Sequence, residues 1–421
     1  MNLDWASLRV VVLESDDWGL CAWAPDDQAY RVLADTPAWR GPAGRIYGRS
    51  TLESAADVAG LVSTLKEFRG GDGFPPVWQA NTILAAPDFE QLVPPLFPVD
   101  TLPLVFLPDA PTRWHRPGMW EEVTRAREAG VWWPELHGLH HLPAAAWLAA
   151  LRRGVADARR ACEQRSVVCE IALQSSEYDP SEPLEQRSRN LELAVERFRA
   201  LFGRAPSSLC PPSYRWDVWL EDAAERLGIT TLQGKSEQEG RPFPRIARLL
   251  DRYRWPDLHG KRLYLPIRIA FEPRGGPGDG PVGVDAVHRA VRAAWKRGQP
   301  AVVSTHRANY AHLDPAWSEH GRAALRDLLG RLSADRARFL TDAEIHSLVE
   351  RGWSARGIGE RDALVRFYGV PGDPLELAAP PGASEVAVKA ARAEGARLNL
   401  EGGVVKAQLD PGEYLLEWSR E

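Results

Sequence analysis

Short apolar runs alternate with amphipathic stretches along most of the chain. The runs are "LRVVVLE" from Leu8, "VWQANTIL" from Val77, "LPLVFL" from Leu102, "SSLC" from Ser207, "ITTLQG" from Ile229, "LYLPIRIAF" from Leu263, "AVVST" from Ala301 and "RFLT" from Arg338. Several are apolar throughout, the pattern of parallel strands covered on both faces. Between them, Leu191, Val195, Phe198 and Phe202 recur at helical spacing before Gly203, and Val287, Val291 and Trp295 do so before Gly298. Both stretches predict helices closed by a glycine cap. "HLPAAAWLAALRRGVADARRACEQ" predicts one more helix, rich in Ala and Arg. Repeated strand–helix units predict an α/β protein, either a barrel or a doubly wound sheet. In either, functional residues collect just past the C-terminal ends of the strands.

The pattern changes near Gly357 and Gly359. "DALVRFYGV", "LELAAP", "SEVAVKAA", "ARLNLEGGVVKAQL" and "GEYLLEWS" are short strand-like runs between Gly and Pro turns. They predict a small all-β domain of about 60 residues. The expected division is an α/β domain over 1–357 and a β-rich domain over 358–421. "EPRGGPGDGPVG", Glu272 to Gly283, reads as a flexible loop.

Composition narrows the class. With 421 residues, the chain is long enough for a large core and two domains. The formal net charge is −5, from 52 basic and 57 acidic residues, and no basic stripe stands out. Nucleic acid is therefore not an expected partner. No run approaches the roughly 20 apolar residues of a membrane span. The opening "MNLDWAS" lacks a basic leader. Cys21, Cys162, Cys169 and Cys210 have neither zinc nor redox spacing. A cytoplasmic protein with reduced thiols is expected. Seventeen Trp residues are mostly core material, with a few available for an aromatic sugar wall. The oligomeric state stays open.

Four short motifs carry the candidate chemistry. "ESDDWG" ends an apolar run in two adjacent carboxylates, Asp16 and Asp17. Such a pair is either a solvated turn or the neighbour of a cation. "PELHGLHHL" puts His137, His140 and His141, three of the ten histidines, within five positions. If the segment is helical or tightly turned, the spacing of four places His137 and His141 on one side and leaves His140 as the spare. "LCPPSYRWD" stiffens a strand exit with Pro-Pro before Tyr214, Arg215 and Trp216. "AVVSTHRANY" sets His306 directly after an apolar run. Each motif alone has a plain reading as loop, cap or surface. Together, all at expected strand ends, they offer one carboxylate and two imidazoles, a common set for catalytic zinc. The second aspartate is then free to act on water.

In this order the motifs resemble the polysaccharide deacetylase family, the NodB-homology or carbohydrate esterase 4 type, over roughly residues 8–345. "LESDDWG", "QANTILAAPDFE", "HGLHHL" and "STHRANY" look like a cytoplasmic bacterial branch of it. The resemblance implies a distorted (β/α) barrel of the NodB type, here followed by the small β domain. It implies Asp16 as catalytic base, Asp17, His137 and His141 as metal ligands, and His306 as general acid. The implied cofactor is a divalent metal, Zn2+ first, with Co2+ or Mn2+ in some members.

Three positions depart from the family pattern. Trp18 replaces the glycine after the acid pair and is expected to crowd the site mouth. The arginine before the proline in the third motif is missing, and Arg215 and Arg268 are the alternatives for orienting the base. The last motif reads Ser-Thr-His. Trp18, Tyr214, Arg215, Trp216 and Arg268 are the candidate substrate contacts, with Trp18, Trp216 or Tyr214 stacking on a sugar ring. Asn81 and Asp88 read chiefly as loop or helix caps, Glu14 as a buried hydrogen-bonding partner, and Arg307 and Asn309 as supports for His306. The expected function is metal-dependent hydrolysis of the N-acetyl group of an amino sugar, sugar precursor or glycan. The alternatives are a hydrolase of a non-sugar C–N amide and an inactive carbohydrate-binding or assembly protein.

Overall fold

The computed structural model describes residues 3–94, 97, 101–234, 253–275, 280–371, 374–393 and 395–420. The loop expected over Glu272 to Gly283 lies partly outside them. The strands in chain order are β1 (Val10–Trp18), β2 (Trp78–Ile83), β3 (Ala85–Pro87), β4 (Leu104–Phe106), β5 (Trp132–Gly138), β6 (Ser208–Leu209) and β7 (Thr231–Leu232). They continue with β8 (Asp257–His259), β9 (Arg262–Tyr264), β10 (Ile269–Ala270), β11 (Ala301–His306) and β12 (Arg338–Phe339). Ten of these form one sheet in the order β10-β11-β1-β2-β5-β6-β7-β9-β8, with β12 also on β1. Every pairing is parallel except β8 with β9. The sheet curls into an open, distorted (β/α) barrel, so that Leu263 on β9 packs with Val10 and Val12 of β1.

Alternation along β1 sets the two layers. Val10 and Val12 face the barrel interior with Val302, Ile345 and Leu348. Val11 and Leu13 face the outer helices, packing with Val58, Leu61, Val287, Val291 and Leu325. The helices over 55–66, 119–128, 284–296 and 315–334 cover that face. A third apolar cluster lies beside the C-terminal rim. Leu20, Trp23, Trp39 and Tyr47 meet Leu142, Trp147, Val167 and Val168 there.

Three sequence expectations change. The run from Leu263 splits into β9 and β10, with Pro266 between them. The run from Leu102 gives β4, which pairs antiparallel with β3 off the main sheet. The long Ala/Arg stretch forms two helices, Ala144–Arg153 and Ala156–Glu163, because Gly154 caps the first at φ 76°.

The C-terminal strands are β13 (Trp353–Ile358), β14 (Asp362–Phe367), β15 (Pro374–Ala378), β16 (Ala383–Arg392), β17 (Ala396–Glu401), β18 (Val404–Leu409) and β19 (Gly412–Arg420). They form two antiparallel sheets, β13-β14-β19-β16 and β15-β18-β17. Val365, Leu375, Val405, Tyr414 and Leu416 fill the space between them. A boundary at 357 falls within β13, which begins at Trp353. The β sheets are bonded to the barrel by buried charges. Arg366 of β14 reaches Asp72 at 2.7 Å and also pairs with Glu344.

Candidate metal centre and hydrolytic site

The adjacent acids owe their placement to a break in β1. Glu14 and Asp16 share a face with Val10 and Val12 and point into the barrel. Regular alternation would send Asp17 outward. Instead the pairing with β2 shifts register between Ser15 and Trp18, and Asp17 takes φ 74°. A bulge of this kind re-aims side chains. Both carboxylates consequently line one cavity of about 340 Å³ at the C-terminal ends of the strands. The chain then turns at Gly19, φ 80°, where an added Cβ would lie 2.4 Å from the Ile83 carbonyl oxygen.

The same bulge explains a correction. After it, Trp18 faces the outer layer, where it is 1% exposed and packs edge-on against Trp132 at 4.6 Å. It does not crowd the site mouth. Trp216 is also a core side chain, with its indole N–H donated to Glu221 at 3.1 Å. Arg215 turns away to Asp179 at 3.1 Å. Of the five expected substrate contacts, only Tyr214 lines the cavity, and Arg268 sits buried behind Asp16.

His137 lies on β5, and His141 follows in a turn with φ 61°. The sequence sets this motif at an expected strand end, but the run that forms β5 is not among the expected strands. Asp17 Oδ1 is 3.3 Å from His137 Nε2 and 3.9 Å from His141 Nε2. The three donor atoms lie within 4.8 Å of one another, a set able to hold a metal ion. His137 Nδ1 is 2.8 Å from the Cys210 carbonyl oxygen, so it donates there and leaves the Nε2 lone pair for the site. Burial lowers His141 to about 4 and keeps it in the neutral, ligating form. The turn is held by Glu177, whose carboxylate accepts the amides of Leu139, His140 and His141 at 2.9, 3.3 and 3.1 Å. His140 turns away to Asn190, 3.1 Å from its Nε2. Asp16, His137 and Cys210 form a second, overlapping group. Its Asp16 Oδ1 already accepts two hydrogen bonds, from Asn81 at 2.6 Å and Arg268 at 2.9 Å.

Arg268 also reaches Glu14 at 2.7 Å. Between the two arginine alternatives, the structure therefore sets Arg268, not Arg215, against Asp16. Burial opposes ionisation of Asp16, but Arg268, His137 and His306 outweigh it and hold the carboxyl well below the usual range. Asn81 is buried outside the cavity lining. It links Asp16 to Gln233, donating to its Oε1 at 2.8 Å. Asp88 does act as a turn cap, accepting the Glu90 amide at 3.1 Å. His306, in register with Asp16 on the neighbouring strand β11, lines the same cavity, with Nδ1 2.6 Å from Glu272. Burial disfavours its cation, but Glu272, Asp17 and Asp16 raise it to about 10. Asn309 donates to the other Glu272 oxygen at 2.6 Å, and Arg307 pairs with Glu53 at 3.0 Å. Glu272, Glu177 and Tyr47 escaped the sequence reading. Glu272 had a signal, since it directly follows the strand-like "IRIAF".

No family model matches the chain, and no curated protein does. Solved structures are similar at low identity. A Mycobacterium smegmatis protein provisionally assigned to the polysaccharide deacetylases is 14% identical, with a TM-score of 0.41 over 81% of this chain and 90% of that one. A family 4 carbohydrate esterase from Streptomyces lividans, solved with acetate, is 10% identical, with a TM-score of 0.33 over 79% and 92%. A Thermotoga maritima alpha-fucosidase is 12% identical, with a TM-score of 0.35 over 100% and 97%. None of these likenesses assigns a chemistry to this chain.

Proposed function

We propose that the chain is a metal-dependent amide hydrolase that removes the N-acyl group, acetyl in the simplest case, from an amino sugar or sugar precursor. One observation carries the reading. A His-His-Asp donor set, the Arg268-bonded carboxylate of Asp16 and the Glu272-paired imidazole of His306 line one cavity at the strand ends. Asp17, His137 and His141 would hold the ion, zinc fitting this donor set, with cobalt or manganese as alternatives. When bound, such an ion supplies Lewis acidity and a water that ionises near neutral pH. Asp16 takes the proton from the attacking water, its orientation held by Arg268 and Asn81. His306 stays charged through Glu272 and donates its proton to the leaving amine, which is too basic to depart as an anion. Asp16 and His306 both line the cavity, and each does one proton transfer. The products are a carboxylate and a free amine. A reducing, cytoplasmic setting fits the four buried cysteines, none of which is joined in a disulfide.

The test combines metal analysis with amine release. Wild type should hold about one metal per chain, and His137→Ala/His141→Ala should lose it. Zinc-loaded protein should release amine from N-acetyl amino sugars, and Asp16→Asn should lower that rate by about 10²–10⁴-fold. Equal metal in both proteins, or undiminished turnover by Asp16→Asn, would overturn the assignment.

A further inference from the structure

The cavity lining is of two kinds. One is the charged cluster. The other is an apolar wall of Leu20, Ala22, Leu142, Val167 and Val168, which pack in one cluster, together with Leu173. Leu173 has 44% of its surface exposed, whereas Val167 and Val168 are buried. Sugar hydroxyls that leave water need hydrogen-bond partners. Those six side chains offer them no polar atom, and Trp23 of the same cluster offers a single indole N–H. The hydroxyls that line the cavity are those of Tyr47, Ser213 and Tyr214, and Tyr214 is taken up by Arg268. Tyr47 is 8% exposed, its ring meets that of His306 at 5.8 Å, and its hydroxyl has no partner among the described residues. The polar part of a ligand, the amine side that His306 must reach, therefore belongs beside Tyr47. An apolar part is left for the wall.

Resting on the amide-hydrolase reading, we infer that the substrate carries an aliphatic N-acyl chain longer than acetyl, laid along the wall that includes Leu173. The volume of about 340 Å³ lies in the range of small-molecule sites and suits one amide unit with a short chain. The reaction balances as hydrolysis. Water adds to the acyl carbon, the C–N bond breaks, and a fatty carboxylate and a protonated amine leave.

The experiment uses zinc-loaded full-length protein and a series of N-acetyl-, N-butanoyl-, N-hexanoyl- and N-dodecanoyl-glucosamine. Amine release gives kcat/KM, and calorimetry gives Kd independently of turnover. Each added methylene should raise kcat/KM about 4-fold while it stays within the wall. From acetyl to hexanoyl the gain is on the order of 10²-fold, and dodecanoyl should gain nothing further. Leu173→Asp should cut the hexanoyl-to-acetyl ratio about 10-fold, and a ratio read within one protein does not depend on how much of it folds. Turnover that is best on acetyl and falls with chain length overturns the inference and leaves the hydrolase reading standing. No turnover of any member removes the hydrolase reading. In that case Kd decides the wall's role, and equal affinity for acetyl and hexanoyl sinks it.

Discussion

Replacing Glu272 by Gln tests the acid assignment without requiring turnover. Glu272 lies 2.6 Å from His306 Nδ1 and is the leading favourable influence on a cation that burial opposes. A hydrogen bond to a charged partner contributes about 1.5–3 kcal/mol. At about 1.4 kcal/mol per pKa unit, its loss lowers His306 by about 1–2 units. In metal-free protein the wild-type imidazole should titrate near 10, and that of Glu272→Gln between about 8 and 9. The sign also fixes a stability trend. The folded value lies above the ordinary 6.5, so the stabilisation is complete below pH 6.5 and is lost as pH rises through about 10. Glu272→Gln should flatten that loss. The assay is an imidazole NMR titration on chelator-treated protein, paired with urea melts at pH 6 and 9.5. A variant midpoint within about half a unit of wild type refutes the pairing, since even the weaker charge-assisted bond predicts about 1 unit.

Other perturbations probe placement. Trp18→Ala should destabilise by about 3–5 kcal/mol in denaturant melts, yet leave metal content at about one ion, because Trp18 fills core rather than site. Arg268→Met leaves Glu14 and Asp16 buried without their shared cation, and should cost about 3–5 kcal/mol and sharply reduce turnover. Arg366→Met leaves Asp72 buried without its cation and Glu344 with Arg356 alone; calorimetry should show a lower Tm and, in wild type, one joint transition for barrel and β sheets. Zinc at 100 times its Kd should stabilise the wild type by about 2.7 kcal/mol, and His137→Ala/His141→Ala should show no such gain.

Much of the architecture was legible along the chain. The apolar stretches over 10–13 and 301–303 identified β1 and β11 as covered parallel strands, because burial on both faces removes the need for polar alternation, whereas the run of β2 carries Gln79 and Asn81. Strand β5 was not read. Pro134 and the charged Glu135 interrupt its apolar pattern, while the signal that remained, Trp132 and Trp133, is shared with ordinary core. The C-terminal β region was visible from its turns, but its joint with the barrel was not. That joint consists of buried charges such as Arg366 and Asp72, 294 positions apart in the chain.

By itself the sequence offered Asp16, Asp17, His137, His141 and His306 as one candidate set, from residue type, spacing and the order of the motifs. Local composition and spacing suffice for that, since each motif is a contiguous stretch of the chain. Only the tertiary structure decided which way each side chain points. A one-residue bulge brought Asp17 into the cavity and turned Trp18 out of it. Curling of the sheet set Arg268 against Asp16 and left Arg215 with Asp179. Glu272 reached His306, and Glu177 reached the histidine turn, across gaps of 34 and 36 or more positions. Such pairings depend on how separate strands stack, and no periodicity within a single strand encodes them.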